Sequence, residues 1–322
     1  FEHAHVTIAI CQPTRAVWMT GRYPHRNGAL GFDPIRGDVP TLLEALKRGG
    51  FFTGILAKVP HVVPTRGSNW DVVVQARQLK TGRDPKLYYQ HTLKFLRQAA
   101  QTNKPFFLMA NSQDPHRPFA GSAQELARSK KKKKKKSGQG GFPVASRTFS
   151  ADEVPVPGFL PDLPEIRTEL AQYYTSVHRA DQIVGSVLKA LRESGEEKNT
   201  LVLFLSDHGM PLPFAKTNCW WHSTRTPWII RWPGVVKPAR HDRQHMVSGI
   251  DLAPTVLDAV GLDPLPDVDG HSFVPALRGK LQPEFNHVIT QINRTAGKRE
   301  FPMRSILDKR FGYIFNAWSN GK

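Results

Sequence analysis

Apolar positions along this chain alternate between helical spacing and short, nearly unbroken runs. Over residues 41–48, Leu42, Leu43, Ala45 and Leu46 recur at helical intervals, and Gly49-Gly50 supplies a stop. Residues 51–57 then read as a strand. Residues 86–100 predict a helix with Leu87, Phe95, Leu96 and Ala99 toward a core. Pro105 breaks that segment from the apolar run 106–110, a pattern that suits a parallel strand buried on both faces. The longest predicted helix covers 165–194, with a stripe of Ile166, Leu170, Tyr173, Tyr174, Val177, Val184, Val187, Leu188 and Leu191. Further buried strands are predicted at 200–205 and 228–232. Between the helices, residues 118–162 are rich in Pro, Gly, Ser and Lys without a sustained period, and read as a long surface excursion. From about residue 285 the texture changes to short β-like pieces at 288–292, 303–307 and 311–315.

Alternation of this kind predicts an α/β fold with a mainly parallel sheet. We expect a large domain over residues 1–284 and the start of a small antiparallel C-terminal subdomain, cut short, over 285–322. Ligands in such folds sit beyond the carboxyl ends of the strands, so the polar residues that follow each strand carry the interest.

Composition changes this picture little. Of 322 residues, 39% are hydrophobic and 22% charged, as in ordinary globular proteins. No apolar run approaches the ~18 residues of a membrane span. The net charge of +18 suggests nucleic acid at first, but seven charges form one run from Lys130 to Lys136, leaving +11 (18 − 7) spread along the chain. That run reads as a disordered, solvated loop, and no specific nucleic-acid partner is expected. Two cysteines, Cys11 and Cys219, make no disulfide framework. The chain opens at Phe1 with no start Met or signal pattern, which reads as a missing N-terminus and leaves localisation open.

Cys11-Gln12-Pro13-Thr14-Arg15, followed by Thr20-Gly21-Arg22, stands apart. At roughly 5% usage per residue type, seven fixed positions coincide by chance about once in 10⁹ windows. The segment resembles the C-x-P-[ST]-R and T-G-R signature of type I sulfatases, enzymes of the alkaline-phosphatase-like superfamily. The resemblance implies an α/β/α sandwich. It also implies oxidation of Cys11 to formylglycine by a formylglycine-generating enzyme, one bound calcium ion, and a sulfated carbohydrate or other sulfate ester as substrate. A hydrated aldehyde carries two hydroxyls: one attacks sulfur and displaces the alcohol, and the other then loses its proton so that the aldehyde re-forms and sulfate leaves. Serine has no second hydroxyl and would stay sulfated.

Further stretches resemble the family in order. Asp207-His208-Gly209 follows an apolar strand, and the resemblance makes Asp207 and His208 metal ligands together with the modified Cys11. Arg15 would hold the modified residue. Lys216 would bind a sulfate oxygen, and His116, in the 114–119 stretch Asp-Pro-His-Arg-Pro-Phe, would meet sulfate or the leaving oxygen. Lys58 and His61 match the family's G-K-x-H loosely: Ala57 stands in the Gly position and the spacing is one residue longer. The segments 225–234, 251–255 and 269–273 look architectural, with Asp251 a candidate helix cap. The stretches 114–119 and 213–218 are closest to heparan N-sulfatase-like members. The paired Asp-Asp that family members carry near their N-terminus does not occur in this sequence, so the chain as it stands is expected to bind calcium weakly and not to turn over sulfate esters. By resemblance the compartment would be periplasmic, secreted or lysosomal. The alternatives are a phosphonate or phosphodiester hydrolase of the same superfamily, a non-catalytic polyanion-binding protein, and an inert fragment.

Overall fold

The computed structural model describes residues 1–62, 69–134 and 141–317. Its strands are β1 (His3–His5), β2 (Phe52–Leu56), β3 (Val72–Val74), β4 (Phe106–Ala110), β5 (Val202–Leu205), β6 (Trp228–Arg231), β7 (Met246–Ser248), β8 (Val288–Arg294), β9 (Glu300–Leu307) and β10 (Gly312–Asn316). Parallel pairing joins β1 to β7 and β2 to both β3 and β4. Antiparallel pairing joins β5 to β6 and strings β8, β9 and β10 into a small sheet. The mixed α/β class, the parallel pairing and the antiparallel C-terminal piece all follow the sequence pattern. The β5–β6 pair does not run parallel. The chain between them holds turns and only the short helix Trp221–Thr224, not the long crossover that parallel strands require.

Two compact units divide the chain. One comprises Phe1–Gly50, Pro60–Asn69 and Lys198–Lys322; the other comprises Phe51–Val59 and Trp70–Glu197.

In the first unit, the helix Cys11–Thr20 starts after extended Ile10 (φ −142°) and ends at left-handed Gly21 (φ 62°), whose N–H reaches Val17 O. Pro13 fits the first turn, where its missing N–H has no helical partner to lose. Every residue of this helix except Gln12 is buried, and Val17 packs with Ile8, Ile10, Cys219, Ile250, Ile292 and Met303. The Gly21 carbonyl accepts the N–H groups of Asp269 and Gly270 at 2.8 and 3.2 Å, so the Thr20-Gly21-Arg22 segment pins the far end of the helix. The helix Leu42–Arg48 carries the expected cap: Thr41 and Glu44 form a reciprocal capping box. Asp251 departs from expectation. Its carboxylate caps no helix after it, but accepts Ser248 N–H at 2.8 Å and His271 N–H at 3.0 Å, fully buried.

In the second unit, Asp84 caps the helix Pro85–Thr102 by accepting Leu87 N–H at 3.2 Å. Phe95, Leu96 and Ala99 are buried as predicted, while Tyr88 takes the core place expected for half-buried Leu87. Gly54 of β2 admits the Phe95 ring: a Cβ there would lie 2.4 Å from it. Central β2 is buried, whereas β4, which among the described residues pairs only with β2, is half-buried, not covered on both faces as expected. The helix Pro164–Glu193 buries Leu170, Ile183 and Leu191, but Val177 is exposed and Arg179 is buried in the stripe. The lysine run is not wholly a loop. The helix Ala123–Lys134 takes in Lys130, which is exposed, and continues to Lys134; Lys135 and Lys136 lie outside the described residues. Lysine is a good helix former, and Ser122 Oγ accepts Glu125 N–H at the start of this helix. Among the described residues, no helix is long and apolar enough to cross a membrane.

Candidate active site

Helix geometry places Cys11 at the first turn of a buried helix, where backbone N–H groups lack helical partners. The residues that converge on it come from far along the chain. Cys11 Sγ lies 3.3 Å from His208 Nε2 and 3.9 Å from Lys216 Nζ. Arg15, one turn on, donates from Nε and Nη2 to Asp207 Oδ2 at 3.2 and 2.9 Å. Asp207 Oδ1 is left on the imidazole side, 3.6 Å from His208 Nε2. The Arg15 guanidinium also sits 5.4 Å from the Trp18 ring, whose face favours a cation.

Asp207 and His208 follow β5 directly, and the turn after it is tightly packed. A Cβ at Gly209 would lie 2.2 Å from His222 O and 2.5 Å from Ala215 O, so only glycine fits. This close approach draws the 210–222 segment, Lys216 included, against the Asp207–Gly209 turn. Thr217 N–H donates to Ala9 O at 3.1 Å and holds that segment beside the start of the Cys11 helix.

The electrostatics are coupled. Burial pushes the Cys11 thiol up, but the hydrogen bond from His208 and the positive charges of His208 and Lys216 outweigh it and bring the thiol below its ordinary value. Burial pushes His208 down, but Asp207 and Cys11 outweigh it and hold the imidazole above its ordinary range. His208 Nδ1 lies 2.7 Å from Gly209 O, so Nδ1–H donates there and Nε2 faces Cys11 and Asp207. A carbonyl on one ring nitrogen with the other turned inward is the arrangement of a metal-ligating histidine. One atom each from Cys11, Asp207 and His208 lies within 4.8 Å of the others, a donor set that fits a metal ion. A cation there would favour the neutral imidazole and reverse the local balance.

The remaining expected site residues are placed as follows. His61 belongs to the first unit, on the turn Val59–Val62, with its ring edge toward Phe32 at 6.3 Å. Lys58 follows β2 in the second unit and, like Ala57 before it, has a left-handed backbone (φ 52° and 56°). Positive φ favours glycine, so the Ala57 position demands the residue that the family pattern shows there. His116 lies in the second unit, exposed on the turn after β4. Sequence reading missed Arg83 and Arg179, both buried against Asp114. The only trace is an arginine inside the apolar stripe of the longest helix.

These features join, in an α/β protein, a cysteine at a helix start to a lysine, a carboxylate and an imidazole, with a donor set that fits a metal ion. The chain belongs to the sulfatase family, whose profile, described as Sulfatase, matches residues 1–262. It is 32% identical to human N-sulphoglucosamine sulphohydrolase over 98% of this chain and 66% of that protein. Two solved structures share the fold. One, in complex with its substrate D-glucosamine-2-N,6-O-disulfate, is 18% identical with a TM-score of 0.73, over 97% of this chain and 81% of that one. The other, phosphonate monoester hydrolase of Agrobacterium radiobacter, is 20% identical with a TM-score of 0.72, over 98% and 78%. This is the alkaline-phosphatase-like α/β fold that the motif implied. The chain spans 66%, 58% and 54% of the length of three curated relatives it matches. Family members work with a metal ion and a modified cysteine.

Proposed function

We propose that this chain forms the catalytic part of a hydrolase of sulfate esters or sulfamates on sulfated carbohydrates. It uses formylglycine made from Cys11 and a calcium ion, with residues 1–284 carrying the machinery and 285–322 opening a smaller subdomain. The approach of His208 Nε2 and Lys216 Nζ to Cys11 Sγ, at 3.3 and 3.9 Å, with Asp207 held by Arg15, carries this reading. Likeness to a relative named for N-sulphoglucosamine supports the sulfated-sugar class.

Asp207, His208 and the oxygen of modified residue 11, for which Sγ stands here, would hold the metal, which supplies Lewis-acid charge to activate that oxygen. Lys216 brings an ammonium beside the reacting residue, where it binds a sulfate oxygen and offsets charge building during attack on sulfur. Arg15 holds Asp207 through two N–H groups and fixes its orientation. Nδ1–H of His208 stays on the Gly209 carbonyl, which would leave the Nε2 lone pair for the metal. The helix start excludes bulk water from one side, because nearly every residue of that helix is buried.

Mass spectrometry of the Cys11 peptide, from a host with the formylglycine-generating enzyme, tests the modification. The expected result is the aldehyde and, in the full-length enzyme, loss of turnover in Cys11→Ala on aryl sulfate and on N-sulfoglucosamine. An unmodified thiol in an active protein, or turnover of an aryl phosphodiester well above that of both sulfated substrates, overturns the reading.

A further inference from the structure

Beside Cys11, a loop and a strand end of the first unit bring together groups that attack on sulfur does not use. Gln12 is the residue of the Cys11–Thr20 helix that stays out of the core. Its Cα lies about 3.8 Å from that of Cys11, and side chains at a helix start lean toward its open N-terminal end. Gln12 Nε2 donates to Asp33 O at 3.0 Å, which fastens the 31–33 loop to the turn that carries residue 11. The same loop is seated on the end of β8. Arg294 N–H donates to Leu30 O at 3.2 Å, and a Cβ at Gly31 would lie 2.9 Å from Arg294 Cβ, so glycine permits the approach. The β8–β9 register slips between Ile292 and Arg294, an irregularity of the kind that re-aims a side chain.

Arg294 Nη1 lies 3.9 Å from Asp33 Oδ2, too far for a hydrogen bond. Asp33 Oδ2 accepts Gly31 N–H at 3.2 Å, and Arg294 Nε donates to Glu300 Oε1 at 3.0 Å. These bonds fix the planes of the carboxylate and the guanidinium. Among the described residues they leave Asp33 Oδ1 and Arg294 Nη2 without a hydrogen-bond partner. The Asp33 and Arg294 side chains are 25% and 35% exposed, so a ligand reaches both. A hydroxyl donates one proton and accepts others, so one hydroxyl seated in the gap serves carboxylate and guanidinium together. Phe32, next to Asp33, is 47% exposed, with the His61 ring edge toward it at 6.3 Å. A bare aromatic face with a few fixed polar groups is the makeup of a site for a sugar ring, whose apolar face packs while its hydroxyls set the orientation.

We propose that Asp33 and Arg294, with Phe32 as a platform, form the subsite for the sugar ring whose sulfo group lies at residue 11, and share one of its hydroxyls between them. They bind the ring and take no part in bond breaking. The inference rests on the reading of Cys11 as the reacting residue of a sulfatase for carbohydrates.

The test compares N-sulfoglucosamine with an aryl sulfate, which has no ring hydroxyls to read, in the full-length enzyme bearing formylglycine. Asp33→Ala and Arg294→Met each remove one partner, and neither strands a fully buried charge. Each should lower kcat/KM on N-sulfoglucosamine about 10- to 100-fold, mainly through KM, the usual worth of a hydrogen bond to a charged group. Turnover of the aryl sulfate and inhibition by inorganic sulfate should stay within about twofold, which a general loss of folded protein does not give. Because both residues hold the same hydroxyl, the double variant should lose little more than the worse single one. Equal losses on the two substrates, or an unchanged KM for the sugar, overturn the subsite and leave the reading of residue 11 intact. Losses that multiply in the double variant overturn the shared hydroxyl. A parent enzyme that turns over neither compound overturns the reading of residue 11, and the subsite with it.

Discussion

Ala57 and Lys58 show what a single backbone angle demands. Both residues hold positive φ at the end of β2, where an L side chain crowds the following carbonyl. Ala57→Gly should relieve that strain and loosen the unfolded chain by similar amounts. The net change should lie between zero and about 1 kcal/mol of stabilisation, read from urea unfolding midpoints; a loss larger than that would show the angle to be unstrained. Arg15 and Asp207 make the opposite demand, for two donors in one plane. Arg15→Lys keeps the charge and loses the fork, so metal affinity and turnover should both drop by 10- to 100-fold, the usual cost of disturbing a ligand's outer support. Calorimetric metal titration with a parallel kcat measurement checks it. Cys11, Arg15, Asp207, His208 and Lys216 were legible because their neighbours in sequence carry the pattern. Arg83 and Arg179 were not, since their partner Asp114 lies 31 and 65 residues away and no local signal records such a pairing.

Elements were legible where burial followed the apolar spacing, as in the helices Leu42–Arg48 and Pro85–Thr102. They were misread where another force set the face. In Pro164–Glu193 an ion network draws Arg179 inward and Val177 lies outside. In Ala123–Lys134 intrinsic propensity and a serine cap extend a helix through residues with no apolar period. The turn after β5 is the element on which the site depends most. Gly209→Ala places a methyl carbon 2.2 Å from one backbone carbonyl and 2.5 Å from another, and neither is a flexible side-chain end. Thermal unfolding should show a loss of about 3 kcal/mol or more, with Lys216 displaced from residue 11. A stability within 1 kcal/mol of the parent would mean that the 210–222 segment is not seated as described.

Across the whole molecule, two buried titratable groups pull stability in opposite directions with pH. Burial raises Asp251 from 3.8 to about 7, despite its two backbone donors. A raised carboxyl is most favourable below its unfolded value and loses stability as pH rises through the folded one, so its penalty grows from pH 4 to 7. Burial lowers His5 from 6.5 to about 3, with Arg225 and His3 adding to the shift. A depressed imidazole is most favourable above its unfolded value and loses stability as pH falls toward 3. Each shift is worth roughly 4 kcal/mol at full extent, and between pH 4 and 6.5 the two slopes cancel. Asp251→Asn should unmask a loss on acidification in that window, and His5→Gln a loss on alkalinisation. Urea midpoints measured at half-unit intervals decide it, and parallel curves for both variants and the parent would refute the pair.

In the second unit Arg83, Asp114, Arg179 and Glu125 are joined by buried ion pairs into a neutral quartet that constrains descent. Loss of any one of its charges strands an opposite charge in the interior at a cost of about 3–5 kcal/mol, against a total folding stability of about 5–15 kcal/mol. Single substitutions that remove a charge at Arg83, Asp114, Arg179 or Glu125 therefore lead off a cliff, while substitutions that remove an arginine and a carboxylate together stay on the ridge. These sites drift in pairs. A library randomised at all four should return survivors whose charges sum to zero far more often than the frequencies of its single variants allow, which makes the quartet a small island of epistasis.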